Sequence, residues 1–322
     1  MLTTGSAPLI AVAGPTAVGK TAVGIRVARE LGGEVVSVDS RQVYRGMDIG
    51  TAKPGLQELS LVRHHLVDVK RPAETYSAGQ FGRDARRVIR ELGDRDTAAV
   101  LVGGSGLYLE AVLDGFSTAD DTDRHLRAVL KERMEQDGVA SLYEELGRMD
   151  PMAQARLAPA DTQRVLRALE LAHGGCAGRP SRRGEAGRGP LSCVPLVFCL
   201  RRERNRLYQR IDQRVDGMLE SGLVDEVSRL AAAGHDRDTP AMGTMGYREI
   251  LEYLAGECSL QAAADRIKAR TRHYAKRQVT WFRRDRRVRW LDLDRWGEAG
   301  AVQRILAQVR SRGLKSAFAV DS

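Results

Sequence analysis

Leu9-Ile-Ala-Val-Ala-Gly14-Pro-Thr-Ala-Val-Gly19-Lys20-Thr21 is a short apolar run that passes directly into a glycine-bounded loop ending in Lys-Thr. From Thr21 to Leu31 the composition is that of a helix. The stretch reads strand, loop, helix, and its loop satisfies Gly-x-x-x-x-Gly-Lys-Thr in full. Glycines let backbone N–H groups converge on phosphate oxygens, and the helix N-terminus adds its partial positive charge. Lys20 is placed to neutralise a terminal phosphate and the Thr21 hydroxyl to hold Mg2+. Gly14, Pro15, Thr16, Ala17, Val18, Gly19, Lys20 and Thr21 are therefore the candidate phosphate cradle.

The same order recurs downstream. A second apolar strand, Glu34–Val38, ends at Asp39-Ser40, and a third, Ala98–Val102, ends at Gly103-Gly104-Ser105-Gly106 before a helix near Leu107. Repeated strand–loop–helix units predict an α/β fold, a parallel sheet of the phosphate-loop NTPase kind flanked by helices. From Asp123 the pattern changes to apolar residues at helical spacing (Leu126, Val129, Leu130, Met134), with further helices at Ser141–Arg148, Asp150–Leu157 and Asp161–His173. Asp161 is a candidate N-cap, because Pro159 cannot continue the preceding helix. Gly174–Gly189 holds six glycines and four arginines and reads as a mobile surface loop. Val194–Leu200 reads as a strand returning to the sheet, and Arg206 onward as mostly helix to the end. The expected organisation is a core over residues 1–118 and 191–322, interrupted by an all-helical insertion over 119–190.

With 322 residues, 43% of them hydrophobic, the chain has enough apolar material for a sizeable core, which excludes a disordered tail or a mini-protein. No apolar stretch approaches the roughly 18–20 residues of a membrane span, and the first residues lack a basic n-region. A cytoplasmic protein with no membrane partner is expected. Cys176, Cys193, Cys199 and Cys258 are scattered without a C-x-x-C pair, which fits reduced thiols.

Lys and Arg number 51 against 42 Asp and Glu, a net charge of +9. The excess is clustered. Arg266, Lys268, Arg270, Arg272, Lys276, Arg277, Arg283, Arg284, Arg286, Arg287 and Arg289 share their segment with a single acid, Asp285. A solvated helix face interleaves both signs. With Tyr274, Trp281 and Phe282 among them, these cations read as a surface for single-stranded or looped nucleic acid. Core packing is the alternative for the aromatics.

Enzymes that hydrolyse ATP end a later strand in an acid that organises Mg2+, but Ala98–Val102 runs into glycines. The acid stands instead at the end of the second strand, in Asp39-Ser-Arg-Gln-Val-Tyr44. Strand carboxyl ends form the ligand crevice of such sheets, so Asp39 is expected across from the phosphates, as a Mg2+ ligand or a base on an incoming nucleophile. A helix cap is the blander reading.

Gly14-Pro-Thr-Ala-Val-Gly-Lys-Thr21, Asp39-Ser-Arg-Gln-Val-Tyr44, Gly46-Met-Asp-Ile-Gly-Thr-Ala-Lys-Pro54, Gly103-Gly-Ser-Gly-Leu-Tyr108, Gln163-Arg-Val-Leu-Arg-Ala-Leu-Glu170, Met245-Gly-Tyr-Arg248 and Lys276-Arg-Gln-Val-Thr-Trp-Phe-Arg283 follow one another over nearly the whole chain. Together they resemble the tRNA dimethylallyltransferase family, in its bacterial form. The resemblance implies transfer of a dimethylallyl group from dimethylallyl diphosphate to the N6 amine of adenosine 37 in tRNA, with release of diphosphate and Mg2+ as cofactor. The phosphate loop, Gly14 to Thr21, would then hold the allylic diphosphate in place of ATP. It implies Asp39 as the base, with Thr21, also the metal ligand, and Arg214, in Arg210-Ile-Asp-Gln-Arg214, serving the departing diphosphate.

On the tRNA side the resemblance implies Asp39, Ser40, Arg41, Gln42, Ser105 and Arg127. It adds Gln163, Arg164, Val165, Leu166 and Arg167, and Gly243, Thr244, Met245, Gly246, Tyr247 and Arg248. Gln163 and Arg167, four apart, share a helix face while Arg164 points elsewhere. The implied partners are dimethylallyl diphosphate and the anticodon stem–loop, clamped by the helical insertion of a monomer. The adenine must leave its stack to reach Asp39.

Alternatives are an isopentenyltransferase acting on free adenine nucleotides and a phosphate-loop small-molecule kinase. The Gly46–Pro54 motif yields no chemistry from its residues alone, and its Asp48 and Lys53 are candidates for a local ion pair. Arg63, Gly243 and the glycine-rich 173–190 stretch depart from the family pattern. No Cys/His pair follows Lys276, so the zinc finger of eukaryotic relatives is not expected.

Overall fold

The computed structural model describes residues 7–115, 124–176, 191 and 194–313. Its strands are β1 (Leu9–Ala13), β2 (Glu34–Val38), β3 (His64–His65), β4 (Ala99–Gly103), β5 (Leu196–Arg201) and β6 (Val288–Asp292). They form one sheet in the order β3-β2-β4-β1-β5-β6, with every pairing parallel. The apolar runs read from sequence are its centre, because a parallel strand is covered on both faces. Leu9, Ala11, Ala13, Val36, Val38 and Leu101 join one core, and Ile10, Val12, Val35, Val100 and Phe198 join the other.

On the face of Ile10 and Val12 pack α1 (Lys20–Glu30) and, through Ile305 and Val309, the helix α12 (Leu293–Ser311). The other face is covered by α3 (Ala78–Asp94), α4 (Gly106–Leu113), α10 (Tyr247–Leu254) and α11 (Leu260–Phe282). Helices α2 (Leu56–Leu61), α8 (Arg204–Glu220) and α9 (Leu223–Ala232) complete this part. Ser77 and Gln80 form a capping box at the start of α3, and Ser259 caps α11.

The chain divides into two compact units, Met1–Leu113 with Leu191–Ser322, and Asp114–Pro190. The second contains α5 (Arg124–Met149, broken at Gly138), α6 (Pro151–Gln154) and α7 (Thr162–Leu171), followed by one π turn. Its core is Leu130, Leu142, Leu146, Val165, Leu166 and Leu169. Asp161 does cap α7, its carboxylate accepting the Arg164 N–H at 3.4 Å.

Two strands, β6 and β3, were not read from the sequence. The tail after Arg206 is mostly helical, as expected, but Val288–Asp292 adds β6 at the sheet edge. That strand is half exposed and Arg289 interrupts its apolar residues, so it lacks the signature of a buried strand. The two-residue β3 is too short to show a period. Most of the glycine- and arginine-rich loop, with Cys193, lies outside the described residues; Cys199 and Cys258 are free thiols. No described helix is long and apolar enough to cross a membrane.

Candidate active site

β1, β4 and β2 are neighbours, and the phosphate loop, Gly103–Gly106 and Asp39 follow their carboxyl ends. Adjacent strands stand about 4.8 Å apart, which separates the loop from the Asp39 turn by roughly 10 Å across β4. The interval is a cavity of ≈ 390 Å³ lined by Thr16, Lys20, Thr21, Asp39 and Arg214, among others. β4 ends in glycines here, and a Cβ at Gly103 would fall 1.9 Å from the Val38 carbonyl oxygen.

The phosphate loop is held by side chains from distant elements. Arg202 Nε donates to Val18 O at 3.0 Å, Arg210 Nε to Ala17 O at 2.9 Å, and Arg214 Nη1 reaches Thr16 Oγ1 at 3.5 Å. Gln278 Oε1 accepts the Thr16 N–H at 2.9 Å. Ala17 sits at φ +62°, in the left-handed region. The guanidinium groups occupy carbonyl oxygens, whereas the N–H groups of Ala17, Val18 and Gly19 have no partner among the described residues. Consecutive unpartnered amides at a helix N-terminus are what an anion requires.

Lys20 Nζ donates to Pro15 O at 2.8 Å. Burial and the neighbouring Arg214 bring the Lys20 pKa down to about 8, with Asp39 opposing. Burial, then Arg210, also lowers Arg214, against the pull of Asp39. The Thr21 hydroxyl lines the cavity and has no described partner. No described cluster of three or more His, Cys, Asp or Glu is present that would cage a metal. This donor set fits Mg2+ in the manner that ion prefers, with one protein oxygen and the rest from phosphate and water.

Asp39 lines the opposite side, and its Oδ1 accepts the Arg41 N–H at 2.9 Å. The capping reading is thus true of one oxygen, in a turn rather than a helix. Ser105 Oγ accepts the Ser40 N–H at 3.0 Å, and Gln42 bridges Ser37 Oγ (3.0 Å) and Ala52 O (3.0 Å). Arg41 lies over the Tyr274 ring at 4.9 Å. Burial, then Asp39, raises the Tyr274 pKa.

The Gly46–Pro54 loop now has a physical account. Buried Glu226 accepts the N–H groups of Asp48 (2.9 Å), Ile49 (2.8 Å) and Gly50 (3.1 Å), and the Tyr247 hydroxyl at 2.6 Å. A Cβ at Gly50 would meet the Tyr247 ring at 2.6 Å, so only glycine permits this approach. Lys53 pairs with Asp48, as its spacing suggested, and also with Asp68 at 2.5 Å.

Of the residues expected on the RNA side, Asp39 to Gln42, Ser105, Met245 and Gly246 gather at or beside the cavity. Tyr247 does not offer its side chain: it is fully buried with its hydroxyl on Glu226. Gly246 is buried, Thr244 Oγ1 donates to Ala241 O, and Gly243 and Arg248 are exposed. In the second unit, Val165 and Leu166 are core residues and cannot touch RNA through their side chains. Gln163 is exposed and Arg164 pairs with Asp161 at 3.2 Å. Arg127 and Arg167 are brought together on Glu170, at 3.3 and 3.0 Å.

The basic segment also needs correction. Its first half is neutralised by acids from elsewhere: Arg266 by Glu252, Lys268 by Asp216, Arg270 by Glu249 and Arg272 by Asp212. Lys276, Arg283, Arg284, Arg286 and Arg289 pair with no described acid. Sequence reasoning passed over Arg202, Arg210, Glu226 and Gln278. Gln278 carried a signal, since it is an uncharged polar residue four from both Tyr274 and Phe282 on one helix face.

A model of the family described as IPP transferase matches residues 42–285. The chain is 43% identical over 306 residues to the tRNA dimethylallyltransferase of Desulforudis audaxviator, covering 94% of this chain and 97% of that protein. It is 45% identical over 291 residues to that of Thermomicrobium roseum, covering 90% and 88%. Among solved structures, the tRNA isopentenylpyrophosphate transferase of Bacillus halodurans superposes with TM-score 0.69 at 39% identity, covering 95% of this chain and 97% of that one. A eukaryotic dimethylallyltransferase acting on tRNA gives TM-score 0.80 at 28% identity, covering 98% and 82%. An anion cradle facing an acid across a glycine floor thus occurs in a chain that matches these proteins almost end to end, and the chain belongs to the IPP transferase family.

Proposed function

We propose that this protein transfers a dimethylallyl group from dimethylallyl diphosphate to the N6 amine of adenosine 37 in tRNA and releases diphosphate. It is read as a cytoplasmic monomer whose helical insertion, residues 119–190, grips the anticodon stem–loop. The observation that carries the reading is the placement of Asp39 and the phosphate loop on two sides of one cavity, with β4 ending in glycines between them.

The chemistry asked of the residues is modest. The adenine amine is a weak nucleophile, so a carboxylate that takes its proton as the bond to carbon forms lowers the barrier. The new bond joins N6 to the allylic carbon, the carbon–oxygen bond to diphosphate breaks, and its electron pair leaves with the diphosphate. Lys20, Arg214 and the free amides of Ala17, Val18 and Gly19 are fixed where that negative charge accumulates. Mg2+, held through Thr21, supplies further charge neutralisation there when bound. Arg127 and Arg167, oriented on Glu170, give the insertion a cationic pair for RNA phosphates.

The test is incubation with labelled dimethylallyl diphosphate and total tRNA, with and without a chelator. Chelator-sensitive label in RNA supports the reading. Label on free AMP alone, or consumption of ATP with a hydroxylated metabolite, overturns it.

A further inference from the structure

Gln278 lies on α11, yet both ends of its buried carboxamide are engaged by loops that end strands of the sheet. Oε1 accepts the Thr16 N–H at 2.9 Å, and Nε2 donates to the Gly104 carbonyl oxygen at 2.8 Å. A backbone N–H only donates and a carbonyl only accepts, so the amide fits in one orientation alone. Gly104 makes room for it, because a Cβ there would lie 2.3 Å from Gln278 Nε2.

From Gly104 the connection continues. The Ser105 N–H donates to Val38 O at 3.3 Å and Ser105 Oγ accepts the Ser40 N–H at 3.0 Å. Ser40 follows Asp39, whose carboxylate accepts the Arg41 N–H. An unbroken path therefore runs from the phosphate loop, through one side chain of α11, to the turn that carries the candidate base.

We propose that Gln278 is a positioning residue that fixes the separation between the diphosphate cradle and Asp39; this assignment rests on the prenyl-transfer reading. A transfer between two bound substrates depends steeply on alignment, and a displacement of about 1 Å costs on the order of 100-fold. This amide ties the phosphate loop to the loop that follows β4. Because it is buried, loss of either hydrogen bond leaves a polar group without a partner.

Gln278→Met removes both hydrogen bonds at nearly the same side-chain length and adds no charge to the cavity that Gln278 lines. Its diphosphate Kd, measured by calorimetry, is expected within about threefold of wild type while kcat falls tenfold or more, in line with the cost of misalignment. Ser105→Ala cuts the same path further along and should show the same split between binding and turnover. The double variant should fall little below the worse single, because both changes break one connected path. A merely structural role would lower the folded fraction and scale binding and turnover together.

The assignment is overturned if both single variants turn over within about twofold of wild type, if diphosphate binding is lost while kcat holds, or if the losses multiply. Should Gln278→Met fail to fold, Ser105→Ala carries the same test. Wild-type protein that binds diphosphate but labels no tRNA removes the prenyl-transfer reading, and this inference with it. Wild type that labels tRNA, beside variants that do so equally well, removes only the role of Gln278.

Discussion

Arg270 Nη1 stands 2.6 Å from Glu249 Oε1, and the Glu249 side chain is 1% exposed. The pair divides the basic segment by function. Cations that meet a buried or half-buried acid serve the fold, and those without one, from Lys276 onward, are free to meet RNA. Replacing Arg283, Arg284 and Arg286 by Gln should flatten the salt dependence of anticodon stem–loop binding by roughly 0.7–0.9 in log–log slope for each phosphate no longer neutralised. Arg270→Met should leave that slope unchanged and instead cost about 1–3 kcal/mol, by stranding a buried carboxylate. Filter binding across a salt series, with urea denaturation of each variant, separates the two groups.

Glu226 accepts three consecutive N–H groups and a hydroxyl from inside the core. An amide in its place offers one accepting oxygen and turns a donor toward N–H groups. Glu226→Gln should therefore destabilise the protein by about 2–3 kcal/mol, with hydrogen exchange at Asp48, Ile49 and Gly50 speeding up before the sheet amides change. Unchanged exchange at those amides would mean that the loop is held some other way.

These two cases also mark how far the sequence could be read. The strand–loop–helix order fixed β1, β2 and β4, because strands buried on both faces are continuous apolar runs. Asp39 and the cradle followed from where such strands end. What stayed hidden was every interaction that depends on which distant surfaces meet. The acids that neutralise Arg266 to Arg272 lie on α8 and α10, so counting charges within the segment overstated its free charge. Glu226 under Gly50, and Gln278 between two loops, are likewise products of packing between elements far apart in the chain. β6 was obscured by its exposure at the sheet edge.

In the proposed reaction Asp39 acts through its charge and not through the fold, since its one described hydrogen bond is to the Arg41 N–H of its own turn. Asp39→Asn retains an acceptor for that N–H and removes the proposed base. Turnover should fall roughly 10²–10⁴-fold, the usual contribution of a positioned general base. Diphosphate affinity should hold or rise slightly, since a negative charge facing the anion is gone. Labelled transfer measured beside calorimetric binding tests this, and wild-type turnover in the variant would deny Asp39 its role.

Lys20 gives the pH dependence its sign. In the free enzyme burial and Arg214 place its pKa near 8, below the 10.5 of an unhindered lysine. A bound diphosphate favours the charged form and raises that pKa again. Between the two values the complex holds a proton that the free enzyme lacks. Diphosphate binding at pH 8.5 should thus be accompanied by proton uptake, and at pH 6.5, where Lys20 is already charged, this contribution should vanish. Affinity should weaken as the pH rises through about 8. Calorimetry in buffers of different ionisation enthalpy measures the uptake directly. Lys20→Arg remains charged at both pH values, so its trace reports only the titration of diphosphate itself. Equal uptake in the variant and wild type would show that Lys20 is charged throughout, and that neither burial nor Arg214 governs it.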